Sequence, residues 1–93
     1  MPKEVCASHI LVKTEKEALD IIQKVKGGAS FEEIAKKVST CPSGKGGGDL
    51  GYFGRNRMVK AFEDAAFNLE VGQLSAPVKT QFGYHVIKVT GKR

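Results

Sequence analysis

Two histidines and two cysteines are the side chains of this chain best suited to chemistry, and the histidines say most. His9 sits in the run Cys6-Ala7-Ser8-His9-Ile10-Leu11-Val12-Lys13, and His85 in Gln81-Phe82-Gly83-Tyr84-His85-Val86-Ile87-Lys88-Val89. Both runs are short and rich in Ile, Val, Leu and Tyr, the pattern of strands. A histidine buried in a strand needs partners for its ring nitrogens, because an unpaired buried polar group costs about 1–3 kcal/mol. The two rings can satisfy each other if the first and last strands are neighbours in one sheet. That places a coupled polar pair inside an apolar wall.

Other chemistries fit less well. Cys6, His9, Cys41 and His85 nominally offer zinc two sulfurs and two nitrogens. Cys6 and His9 are three apart, so a regular strand puts them on opposite faces, and no metal is expected. Cys41 with the two histidines has the makings of a thiol catalyst, and equally of an incidental thiol in a surface loop. The glycines at 44–48 lack the G-x-x-x-x-G-K-[ST] pattern and open onto no obvious helix. They read as a flexible loop covering a site. Asp49 alone does not supply the carboxylates that metal-assisted phosphate transfer needs.

The elements that position these residues follow from local pattern. Along residues 4–13, Val5, Ala7, His9 and Leu11 point one way and Cys6, Ser8, Ile10 and Val12 the other. Both faces are largely apolar, which predicts a central strand covered on both sides. Thr14 to Glu17 is a capping box, followed by a helix with Ala18, Leu19, Ile22 and Val25 on its buried stripe and Gly27-Gly28 as its stop. Ser30 to Glu33 is a second capping box, opening a short helix with Phe31, Ile34, Ala35 and Val38 inward. Residues 40–48 read as loop, 49–54 as a strand, and 59–69 as a helix presenting Phe62, Ala65, Ala66 and Leu69. Residues 74–78 read as an extended piece at an edge, since Pro77 cannot donate to a ladder. Residues 79–83 then form a turn into a last strand at 84–90. Strands and helices in this order predict an α+β domain with helices packed on a small sheet.

Bulk properties narrow the class. Ninety-three residues suit one domain, 1–93, with a modest stability margin. With 41% hydrophobic and 27% charged residues the chain is globular, not disordered. It has no run of the ~18 apolar residues a membrane span needs. Met1-Pro2-Lys3-Glu4 lacks the apolar core of a leader, so a cytoplasmic protein with reduced thiols is expected. The net charge of +5 is spread along the chain, so a solvated surface is expected and nucleic acid is not. A set of Leu50, Phe53, Met58 and Phe62 reads first as core. Met58, however, follows the polar run Arg55-Asn56-Arg57 at a helix entry, where a Met among Phe neighbours suits an adaptable apolar pocket.

Taken together the segments resemble the parvulin family of peptidyl-prolyl cis/trans isomerases, from about Val5 to Thr90. The marks are Ser8-His9-Ile10-Leu11-Val12-Lys13, Gly47-Gly48-Asp49-Leu50-Gly51-Tyr52-Phe53, Met58-Val59-Lys60-Ala61-Phe62-Glu63 and Phe82-Gly83-Tyr84-His85-Val86-Ile87. Cys41-Pro42-Ser43-Gly44-Lys45 and the run from Thr80 to His85 look especially like the small stand-alone parvulins of bacteria. The resemblance implies a four-stranded antiparallel sheet surrounded by three to four helices. It implies catalytic roles for His9, Cys41, Thr80 and His85, with the histidines paired at the sheet centre and Thr80 in their polar network. Leu50, Met58 and Phe62 become the pocket for a substrate proline ring, flanked by Phe53 and Phe82. The implied partners are proline-containing peptides and unfolded or partly folded proteins, met by a monomer without a cofactor.

Departures refine the expectation. Phosphate-reading parvulins carry a long basic loop after the first strand, whereas here Lys13 runs straight into the capping box at Thr14. Phosphate dependence is therefore not expected, and the bulk of Phe82 suggests apolar side chains before proline. Two alternatives stand beside catalysis: a non-catalytic peptide-binding chaperone module, and a nucleic-acid-associated parvulin. The catalytic reading requires that the apolar cup be open to solvent.

Overall fold

The computed structural model describes residues 3–93 and, of Ser43, the backbone alone. Met1 and Pro2, part of the stretch read as lacking a leader, lie outside the described residues. The chain runs β1 (Glu4–Val12), α1 (Glu15–Lys26), α2 (Phe31–Val38), a 3-10 turn (Pro42–Gly46), β2 (Asp49–Gly54), α3 (Lys60–Asn68), β3 (Val78–Thr80) and β4 (Gly83–Lys92). The strands form one antiparallel sheet in the order β2-β1-β4-β3. The first and last strands are therefore the two central ones, as the histidine pairing required.

Strand alternation divides the interior into two cores. Ile10, Val12 and Val86 face α1 and α2 and pack with Ala18, Ile21, Ile22, Phe31 and Ala35. Val5, Ala7, Ile87 and Val89 face α3 and pack with Phe53, Phe62 and Ala66. The helices start where expected. The Thr14 hydroxyl accepts from Glu17 N–H at 3.2 Å, and Ser30 does the same for Glu33 at 3.3 Å.

Four local expectations need correction. Leu19 is 47% exposed and Ile21 takes its place inward, because positions 18, 21, 22 and 25 share one helical face and 19 lies about 100° from 18. Val38, in the last turn of α2, is also exposed. Regular pairing along the third strand spans only 78–80, from the last residue of the stretch read as extended into the stretch read as turn, while Leu74 makes a lone bridge to Lys88. The reason is that Pro77 has no N–H and that the Ser75 hydroxyl, instead of a ladder carbonyl, takes the Ile87 N–H at 2.9 Å. Finally, the glycine loop is not a loose cover: Gly44, Gly47 and Gly48 are buried. Gly48 accepts the His9 N–H at 2.9 Å and has φ +85, and a Cβ there would lie 2.3 Å from the His9 carbonyl oxygen. Only glycine allows this approach.

Candidate functional site

The site begins with β1 and β4. Leu11 pairs with His85 and His9 with Ile87, so both imidazoles project from the α3 face of the sheet. Their Nδ1 atoms lie 2.9 Å apart and the rings are nearly parallel at 16°. His85 Nε2 lies 2.8 Å from Thr80 Oγ1, which also accepts the Phe82 N–H at 3.2 Å. Thr80 thus joins the histidine network. Phe62, reaching down from α3, presents itself edge-on to both rings, at 5.4 Å from His9 and 5.2 Å from His85.

Only one Nδ1 of such a pair can carry the proton that bridges them. If His9 donates, His85 carries its proton on Nε2 and donates to Thr80. If His85 donates, the Thr80 hydroxyl must donate to Nε2. Either way both rings are neutral. Burial first, and then the neighbouring His85, lower the His9 pKa to about 4, and burial lowers that of His85. These imidazoles are poor proton carriers at neutral pH and well suited to an apolar wall.

Above the pair lies a cleft of about 510 Å³, lined by His9, Leu11, Thr40, Cys41, Pro42, Leu50, Arg57, Met58, Val59, Phe62, Phe82 and His85. Of the nine predicted site residues, seven line it directly. Thr80 sits behind His85 through its hydrogen bond. Phe53 is the correction. It is 5% exposed, opposite Val5 in the sheet, with its ring 6.0 Å from Phe62, so it backs the Phe62 ring instead of flanking the cleft. Phe82, at 61% exposure, stands on the rim.

The segment carrying Cys41 is fixed to β1 by its own neighbours. Ser39 Oγ accepts from the N–H groups of Leu11 and Cys41, and Thr40 bonds the Leu11 carbonyl through both its N–H and its hydroxyl. The turn before Met58 is fixed differently. Buried Glu63 accepts the Asn56 N–H and, at 3.0 Å, the Arg55 guanidinium, which also stacks 4.3 Å over Phe67. Those two donors hold the Glu63 carboxyl below its usual range, the Asn56 amide contributing most. Asn56 takes φ 69, a left-handed conformation asparagine tolerates. Sequence reasoning missed Leu11, Thr40, Pro42, Arg57 and Val59 as wall residues. Thr40, Pro42, Arg57 and Val59 each adjoin a predicted site residue, and that adjacency was the available signal. Among the described residues, no three His, Cys, Asp or Glu side chains cluster so as to hold a metal.

The comparisons agree with this geometry. Residues 1–93 match the PPIC-type PPIase domain model. The chain belongs to the parvulin family of peptidyl-prolyl cis/trans isomerases. It is 57% identical over 90 residues to a foldase protein PrsA of a Geobacillus species, covering 96% of this chain and 33% of that protein. Its fold superposes on the peptidylprolyl isomerase PrsA of Bacillus anthracis with a TM-score of 0.96 and 52% identity, over 99% of this chain and 43% of that one. NmPin, the parvulin of Nitrosopumilus maritimus, gives a TM-score of 0.90 and 49% identity, over 98% of this chain and 99% of its own. The chain therefore spans about a third of the curated PrsA protein and nearly all of a stand-alone parvulin. It is a peptidyl-prolyl isomerase domain with the four-stranded sheet and three helices of that family.

Proposed function

We propose that this parvulin domain, 1–93, accelerates X–Pro rotation in folding polypeptides by gripping the prolyl ring and desolvating its amide. The observation that carries the reading is the open apolar cleft, with Leu50, Met58 and Phe62 seated against a neutral histidine pair. An X–Pro bond rotates over a barrier of about 18–20 kcal/mol because resonance keeps the amide planar. The planar amide is the more polarised form, so moving it from water to an apolar wall weakens the resonance that resists twisting. A site that holds the twisted form better than either planar isomer lowers the barrier, and each 1.36 kcal/mol is tenfold in rate. No bond breaks, so neither a nucleophile nor a cofactor takes part. The imidazoles stiffen the sheet beneath the ring, and Cys41 contributes packing and electrostatics at the rim.

Phe82 supports a preference for apolar side chains before proline, and the direct passage from β1 to α1 supports independence from phosphate. The same reading has a monomer acting in the cytoplasm on proline-containing, unfolded or partly folded chains, without nucleic acid. Its support is that two cysteines are too few for a disulfide scaffold and that the basic residues are dispersed along the chain. NMR exchange on peptides Ala-X-Pro-Phe tests it, with X set to Leu, Phe, Lys, Glu and phosphoserine. Leu and Phe should lead. A phosphoserine peptide in first place overturns the preference, and no turnover of any peptide overturns catalysis.

A further inference from the structure

The cleft holds one charged group that an oily cup for proline does not need. Of the described residues lining it, Arg57 alone carries a full charge, since both histidines are held neutral. Its neighbours on the sequence are spoken for. Arg55 pairs with Glu63 and Asp64 and stacks on Phe67, and Lys60 lies 3.9 Å from Asp64. Arg57 has no ion pair or hydrogen bond among the described residues, and no Asp or Glu lines the cleft. Its backbone is nonetheless fixed. Glu63 clamps Arg55 and Asn56 immediately before it, and Met58 follows it into the cup.

We infer that Arg57 is a specificity residue that selects an acidic side chain immediately after the substrate proline. This rests on the isomerase reading above. The topology sets the two residues on opposite sides of the cleft. Phe82 sits in the connection between β3 and β4, whereas Arg57 leaves β2 at the opposite edge of the sheet. A proline seated between Leu50, Met58 and Phe62 sends its two neighbours to different walls. If the preceding side chain meets Phe82, the following one meets Arg57. A guanidinium offers a carboxylate two parallel donors, and Arg57 presents its own from an exposed position where Met58 and Val59 line the cleft next to it.

The test is NMR exchange on acetylated, amidated peptides Ala-Leu-Pro-Glu-Ala and Ala-Leu-Pro-Gln-Ala, with the wild-type domain and with Arg57→Gln and Arg57→Lys. The quantity read is the Glu-to-Gln ratio of kcat/KM within each enzyme, so that any general loss cancels. The wild type should favour Glu about three- to fivefold, within the range of a partly exposed ion pair. The ratio should fall to about one in Arg57→Gln, stay above one in Arg57→Lys, and shrink in molar salt. A wild-type ratio near one, or one that Arg57→Gln leaves intact, overturns the inference. A second pair, Ala-Glu-Pro-Gln-Ala and Ala-Gln-Pro-Gln-Ala, checks the side. An Arg57-dependent gain there and not in the first pair overturns the assignment after proline. If the wild type turns over none of the four peptides, it is the isomerase reading that fails, not the role of Arg57.

Discussion

The two faces of the sheet are built from the same strands and end as opposites. On the α1–α2 face, Ile10, Val12 and Val86 are at most 1% exposed and meet a continuous aliphatic and aromatic layer from Ala18 to Ala35. On the α3 face, Val5, Ala7, Ile87 and Val89 are sealed as tightly. Farther along, Leu11 and the histidines border the cleft. The lesson is a division of labour within one small domain. A closed core supplies the stability that lets the other face stay partly open and carry a polar pair.

The comparison breaks most sharply if the closed face is emptied. Phe31→Ala removes a ring 1% exposed from the α1–α2 core, and should cost about 3–5 kcal/mol. A thermal melt checks this. A drop of only a degree or two in Tm would show that the face is not the stabilising one.

Acid is the next largest perturbation, and it acts on the open face. The unfolded chain binds protons on its histidines near pH 6.5, and folded His9 does so only near 4. Between those values the unfolded state holds more protons, so stability rises with pH. It is fully present above 6.5 and is lost on acidification through that window, by on the order of 2 kcal/mol. Urea titrations at pH 7 and pH 4.5 should show it. The variants His9→Asn and His85→Asn should lower Tm at pH 7 and flatten the acid slope. Unchanged stability with abolished turnover would give the rings a direct catalytic role instead.

Met58→Ala sharpens the contrast from the cleft side. Met58 is only half-buried, so stability should change little while kcat/KM falls about tenfold, the equivalent of 1.36 kcal/mol of grip on the twisted amide. Equal activity would move the proline pocket elsewhere. The smallest effect is expected at the rim, where Cys41→Ser should keep appreciable activity, within about threefold, since no covalent step is involved. Complete loss, or a trapped thioester-like adduct, would reverse that assignment.

Much of this was legible because it is local. Thr14 and Ser30 mark their helix starts through bonds three residues away, and β1 shows its two faces by alternation alone. The helical stripe was less secure: Leu19 and Val38 are apolar yet exposed, because the buried arc of each helix depends on where the sheet lies. The third strand was misplaced because Ser75 substitutes its side chain for a ladder partner, which residue type does not reveal.

What the amino-acid order determined by itself was which residues share a face, His9 with Leu11 on β1 and Phe62 with Ala66 on α3, since periods of 2 and 3.6 fix that without reference to the rest of the chain. Tertiary structure decided who meets whom. The diagonal offset of β1 against β4 brings two Nδ1 atoms to 2.9 Å. The seat of Gly48 on the His9 carbonyl turns a glycine loop into packed structure. The Glu63 clamp holds the turn from which Arg57 enters the cleft, while Phe53 is left behind it. Each of these is a contact between distant segments, set by strand register and helix placement, and no local period encodes such a distance.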